Sequence, residues 1–306
     1  MDDLADTDSK HSEPWADDGN LILIAEGEEF RVHRSILCSY SQIFKDMFHS
    51  SSAEELVDDC PIVHLSDTVD DVRHVLKALY DRSYCVAGSP QLPLDVIGAF
   101  LRLGKKYEIS CLYLEAKDRL VGDFPSTLEN HDQIATLGCR IEGFNSAIIF
   151  RVINLAREGD VQIILPAAMR HCSLFVPPED ILISPRNSST SLTDADRQAC
   201  VIAASILQTM TATTYSWLDP KTPTSPYCQG HKKCSQSKQA LLATLWFPSA
   251  QKDPHAPWNA EWEKGLCTDC ARNAKASHNT KRKEAWQALP SVFKLPEWDE
   301  LLSRCQ

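Results

Sequence analysis

The hydrophobic positions change period along the chain. LILIA, Leu21 to Ala25, is a short apolar run, followed by EGEE and then FRVHRSIL. Two extended pieces around a glycine-bearing turn predict a β-hairpin. Beyond it the period lengthens. Ser35 to Tyr40 and Ser41 to His49 read as two short helices. The second carries Ile43, Phe44, Met47 and Phe48 on one side, with Ser41 as its N-cap. SSSAEELVDD is polar and predicts a loop, and CPIVHLSD predicts a strand through Ile62, Val63 and Leu65. Asp67 or Thr68 then caps a helix from Val69 to Tyr80, whose Val72, Val75, Leu76, Leu79 and Tyr80 keep helical spacing. After the loop YCVAGSPQLP comes an amphipathic helix, Leu94 to Tyr107, with Leu94, Ile97, Leu101, Gly104 and Tyr107 on or near one face. Ser110 to Val121 forms another, ending near GDFP.

From Asn130 to Phe175 the pattern stays helical, most clearly in NSAIIFRVINLAREGD and IILPAAMRHCSLF. PPEDILISPRNSSTSLTDADR predicts a loop leading into a helix from about Asp194 through Ile202 to Leu207. DPKTPTSPYCQGHKKC is rich in turn residues, and the helix QALLATLWF follows it. A further loop leads to CTDCARNAKASHNTKRKEAWQAL, a cysteine pair entering a helix, and PSVFKLPEWDELL closes the chain. No internal repeat is visible. The expected class is α+β, a small sheet flanked by helices followed by a mostly helical region.

Charge narrows the partners. The 306 residues carry a net charge of −11, which argues against general affinity for nucleic acid or anionic membrane. Seven acids and one lysine precede Gly19, so residues 1–18 read as a disordered acidic tail. No secretory signal is visible and no stretch approaches the ~20 apolar residues of a membrane helix. A soluble protein of the cytosol or nucleus is therefore expected, where twelve cysteines are thiols or metal ligands rather than a disulfide framework.

The order FRVHRSIL, SQIFKDMF, CPIVHLSD, VRHVLKALYDRSYC resembles the BTB/POZ domain over residues 19–122. DDGNLILIAEGEEFRVHRSIL is similar in particular to fungal BTB proteins of the basidiomycete type. The helices of 123–218 then occupy the place of a BACK-like extension, and 219–306 form a Cys- and Trp-rich module. The resemblance implies that His33 shapes the corner between strand and helix, so that Arg31, His33 and Arg34 are architecture. His64 and His74 are read in the same way. It implies an interaction module that self-associates and recruits protein partners, cullin-3 among them, as a ubiquitin-ligase adaptor. The apolar-x-Glu element used for cullin binding would here be Ala53-Glu54-Glu55, with Ala53 and Glu55 as contacts. No extra N-terminal helix and strand is present to support a swapped dimer.

Cysteine spacing adds a second expectation. Cys38, Cys60, Cys85, Cys111, Cys139, Cys172 and Cys200 stand singly in or beside apolar segments and read as buried thiols. Cys228 and Cys234 sit in a turn-rich loop, while Cys267 and Cys270 form a Cys-x2-Cys pair at the mouth of a helix. Two thiolates on one tight turn converge, and a second pair completes a tetrahedron, so the four predict a structural zinc ion. His231 is an alternate ligand within the first pair. His278 is a second alternate, out of helical phase with Cys270. Five of the seven tryptophans fall within residues 246–306 and are expected to form the core of this module, whose tail resembles that of many fungal BTB proteins.

Three functions fit to different degrees. A scaffold or adaptor explains motif order, acidity and the lack of a Ser-His-Asp or Cys-His arrangement. The alternative is a transcriptional regulator associated with DNA or chromatin, drawing on the basic triplet Lys281-Arg282-Lys283. A zinc enzyme ranks last, since four sulfur ligands leave no open position for water.

Overall fold

The computed structural model describes residues 12–50, 56–57, 60–81, 83–84, 91–183, 191–221, 224–246 and 253–304. They divide into two compact units, residues 1–123 with 139–143, and residues 124–138 with 144–306.

In the first unit, strands β1 (Leu21–Ala25) and β2 (Glu28–Val32) form the predicted hairpin, in register from Leu21–Val32 to Ala25–Glu28. Its two turn residues, Glu26 and Gly27, have φ of 48° and 86°. Left-handed backbone at both central positions matches the turn to the right-handed strand twist. Helices α1 (Arg34–Tyr40) and α2 (Gln42–Ser50) follow. Ser41 caps α2 as expected: its Oγ accepts the Phe44 N–H at 3.1 Å and donates to the Tyr107 carbonyl at 2.5 Å.

The segment SSSAEELVDD departs from its prediction as loop throughout. Leu56–Val57 form a two-residue strand β3, antiparallel to β4 (Cys60–Leu65). Two residues are too short for a period to show. β4 lies parallel to β1, giving a mixed sheet in the order β2-β1-β4-β3. A parallel pair needs a crossover, which α1 and α2 supply. The inner position of β1 explains why Leu21, Ile22 and Leu23 are all buried, with no polar alternation.

Helices α3 (Val69–Tyr80), α4 (Leu94–Lys106) and α5 (Ser110–Asp123) complete this unit. Thr68 is the α3 cap, accepting the Asp71 N–H. Arg102 on α4 grips Asp71 with two bonds of 2.7 Å. α4 is the central helix; Ile97, Ala99, Phe100 and Leu101 are each fully buried. At Gly104 a Cβ would sit 2.8 Å from the Tyr113 backbone nitrogen, so glycine permits the close crossing of α4 and α5. Residues 139–143 return to this unit through a Leu92–Ile141 bridge and through Asp123, whose carboxylate accepts the N–H groups of Arg140 and Ile141.

The second unit is helical: α6 (Leu128–Leu137), α7 (Ser146–Glu158), α8 (Leu165–Phe175), α9 (Pro178–Ile183), α10 (Asp194–Thr214), α11 (His231–Trp246), α12 (Thr268–Gln287), α13 (Leu289–Val292) and α14 (Trp298–Ser303). Three boundaries differ from the sequence reading. α9 falls in a predicted loop, although Pro178 at its first position and Glu179 and Asp180 in its first turn suit a helix start. α10 continues seven residues past Leu207, through threonines whose hydroxyls bond carbonyls four residues back. α11 begins eight residues early, at His231 rather than Gln239. Tyr215, Trp217, Leu218, Trp262 and Ala274 form one core cluster here, with Trp246 and Trp258 packed on it. Trp286 and Trp298 are buried and stacked on each other at 6.1 Å. Among the described residues, no helix is long and apolar enough to cross a membrane.

Candidate metal centre

Four cysteines from three local structures meet in the second unit. Cys228 ends a turn, its N–H bonded to the Ser225 carbonyl. Cys234 lies in the first turn of α11, on a helix rather than the predicted loop. Cys267 is the N-cap residue of α12, and Cys270 stands three residues on in its first turn. All four Sγ atoms lie within 4.8 Å of one another, and Cys267 Sγ is 3.9 Å from Cys228 Sγ. A disulfide would need about 2 Å. Four sulfurs about 2.3 Å from a central ion stand about 3.8 Å apart, so this set can hold one metal ion.

The backbone prepares the site. Gly265, with φ of 82°, turns the chain toward Cys267, and a Cβ there would meet Ser237 Oγ of α11 at 2.4 Å. Ser237 instead donates to the Gly265 carbonyl at 3.0 Å. This tie sets the α12 N-terminus beside α11, and the Cys267 N–H donates to Cys234 Sγ at 3.2 Å. The Cys270 N–H bonds Cys267 and draws its thiol down to about 7, whereas burial pushes Cys270 up to about 12. Helix N-terminal amides thus favour the Cys267 thiolate, while burial disfavours that of Cys270.

The remaining sequence candidates separate. His231 opens α11, exposed, and lies outside the group of four. His278 is buried in the aromatic cluster, where Nε2 meets the Ala256 carbonyl at 2.9 Å and Trp217 Nε1 donates to Nδ1 at 3.4 Å. Ala53 and Glu55 lie outside the described residues. Two contributors escaped the sequence reading. Gly265 could have been found from its place two residues before Cys267. Lys238, four residues after Cys234, was hidden because that cysteine was not placed on a helix.

The other clusters hold structure together. His33 donates its backbone N–H to Tyr80 Oη, its Nδ1 lies 3.2 Å from the same hydroxyl, and Nε2 faces Asp18 at 3.1 Å. Arg31 Nε donates to the Gly19 carbonyl at 2.9 Å, and Arg34 donates to the Phe48 carbonyl at 2.6 Å while lying over that ring. His74 bonds Tyr84 Oη at 2.6 Å, and His64 is exposed on β4. Among the single cysteines Cys60, Cys172 and Cys200 are buried, whereas Cys111 is exposed on the outer side of α5. Cys172 and Cys200 are neighbours between α8 and α10, where the Cys200 thiol points to the Met169 carbonyl at 4.0 Å. The basic triplet is neutralised, Lys281 by Glu284 at 2.7 Å, Arg282 by Asp132 and Lys283 by Glu129 at 3.8 Å.

The first unit is a mixed four-stranded sheet entered by a hairpin and wrapped by short helices. Residues 17–122 match the BTB/POZ domain. No curated protein matches the chain. A BTB/POZ domain is a protein–protein interaction module, and that is the function the first unit carries.

Proposed function

We propose that this protein is a scaffold or adaptor, in which the BTB/POZ domain pairs with itself or recruits a protein partner, and a structural zinc ion fastens the helices of the second unit. The match over residues 17–122 carries the first half of this reading. Four sulfurs within 4.8 Å carry the second. Sulfur-only tetrahedral coordination suits Zn2+, and with no open position the ion serves structure rather than reaction. Cysteine 228, on a turn, and the helix-borne cysteines belong to three pieces of chain that one ion can clamp. Cullin-3 is the specific partner this reading names.

Native mass spectrometry of the untagged protein tests both halves. One zinc per chain, lost on mild acid, and a dimer or a complex with the purified N-terminal region of cullin-3 are expected. A metal-free mass removes the zinc clamp. A monomer at high concentration that leaves cullin-3 unbound removes the adaptor.

A further inference from the structure

A tetrathiolate centre has a charge problem. Four thiolates and one divalent ion sum to −2, and a net charge in a poorly solvated site is costly unless something opposes it. Backbone N–H groups supply part of the opposition, through the Cys267 amide on Cys234 Sγ at 3.2 Å and the first turn of α12. Those are dipoles. A full positive charge is also present.

Lys238 lies one helical turn beyond Cys234 on α11 and is 2% exposed, although lysine is rarely buried without a charge partner. A cavity of about 280 Å³ is lined by Lys238 together with Cys228, Cys234 and Cys270. Nζ donates to the Asp219 carbonyl at 3.1 Å, which pins the long side chain on the sulfur side of α11. Ser235 Oγ bonds the neighbouring Pro220 carbonyl at 2.8 Å and holds the same segment in place. Three of the four ligand cysteines thus share that cavity with this lysine.

We propose that Lys238 is the counter-cation of the cysteine centre, reducing its net charge from −2 to −1 and damping the nucleophilicity of its thiolates. This role rests on the zinc reading above. A neighbouring ammonium offsets the negative charge of the thiolates, which favours the metal-loaded centre and lowers the energy of the sulfur lone pairs, without coordinating the ion. It therefore tightens the hold on zinc and slows attack by electrophiles on the same sulfurs. Lys238 is a positioning residue, since it acts on the ligands through their shared cavity and not on the ion.

The test compares zinc-loaded wild type with Lys238→Met and Lys238→Arg. Methionine keeps most of the apolar stem and removes the charge, while arginine keeps the charge. Two rates are read: transfer of zinc to a chromogenic chelator and alkylation of the protein by iodoacetamide. Lys238→Met is expected to raise both at least tenfold with its helical circular dichroism unchanged, and Lys238→Arg to stay within about threefold of wild type. A folded Lys238→Met whose two rates match wild type overturns the proposal and leaves Lys238 as a tether to Asp219. Should Lys238→Met fail to fold, wild type labelled with [15N]lysine decides. One ammonium protected from water whose resonance moves on replacing Zn2+ by Cd2+ supports the role, and its absence overturns it. A wild type that binds no metal overturns both this role and the zinc clamp; a zinc-bearing wild type with unmoved variant rates overturns this role alone.

Discussion

The two units solve the same problem, holding short elements together, by different means. In the BTB/POZ unit a sheet and helices enclose an apolar centre around Phe30, Ile97, Phe100 and Leu101, each fully buried. Polar groups there serve as caps and ties, as Ser41 does for α2. Both units also bury charge, Asp71, Arg119 and Asp123 in the first and a more connected cluster in the second. Arg170 pairs with Asp253 and donates to His255 Nδ1 at 2.8 Å, while Arg282 joins Asp132 and the His255 carbonyl. To these the second unit adds four cysteines brought from a turn and two helices. Apolar packing is non-directional and tolerates adjustment, whereas charge pairs and thiolates stabilise only when every partner is in place. The first design suits a surface for binding other proteins. The second suits a body whose stability depends on every charged partner being in place and on proton balance.

Metal removal should break the comparison most sharply. Structural zinc contributes on the order of 10 kcal/mol in small modules, so a strong chelator is expected to unprotect α11 and the first turns of α12. Hydrogen exchange read by mass spectrometry should show amide protection lost there and retained in β1, β2 and β4. Equal loss in both units, or none in either, would contradict the division.

The reverse perturbation is Phe100→Ala. Deleting a fully buried ring in α4 is expected to cost about 3–5 kcal/mol, seen as a lower urea midpoint for the first unit. Zinc content per chain should not change.

Protons give the smallest effect. Burial, followed by the charge of Arg170, holds both His131 and His171 down to about 4, against an ordinary value near 6.5. Between those values the unfolded chain binds more protons than the folded one, so stability rises with pH and is lost as pH falls from 6.5 toward 4. Burial also lowers His255 and His278 in this unit, compared with His74 alone among the first unit's shifted histidines. Thermal melting at pH 5 should show the second unit weakened relative to pH 7.5, by about 2 kcal/mol for each of these two histidines. His131→Phe should recover part of that loss, because phenylalanine keeps the stacking on Trp286 and cannot be protonated.

Local chemistry made much of the fold legible. The turn Glu26-Gly27, the caps Ser41 and Thr68, and Gly104 on the packed face of α4 were each readable from a few neighbouring residues. Elements that draw on distant partners were not. Leu56–Val57 becomes a strand only because Cys60 and Pro61 lie opposite. α11 starts at His231 because the metal-centre segment packs there, not because HKKCSQSK shows an apolar stripe.

The same boundary runs through the candidate site. Sequence alone determined the donor chemistry: four sulfurs in two close pairs, a helix opening at the second pair, and aromatic residues for the surrounding core. Residue type and short spacing decide these, and they survive in any fold. Only the tertiary structure decided that the four sulfurs meet within 4.8 Å, that His278 turns instead to Trp217 and Ala256, and that Lys238 faces the cysteines. Each of those outcomes depends on how α11 and α12 pack together, and packing is a property of two surfaces that no single stretch of chain contains.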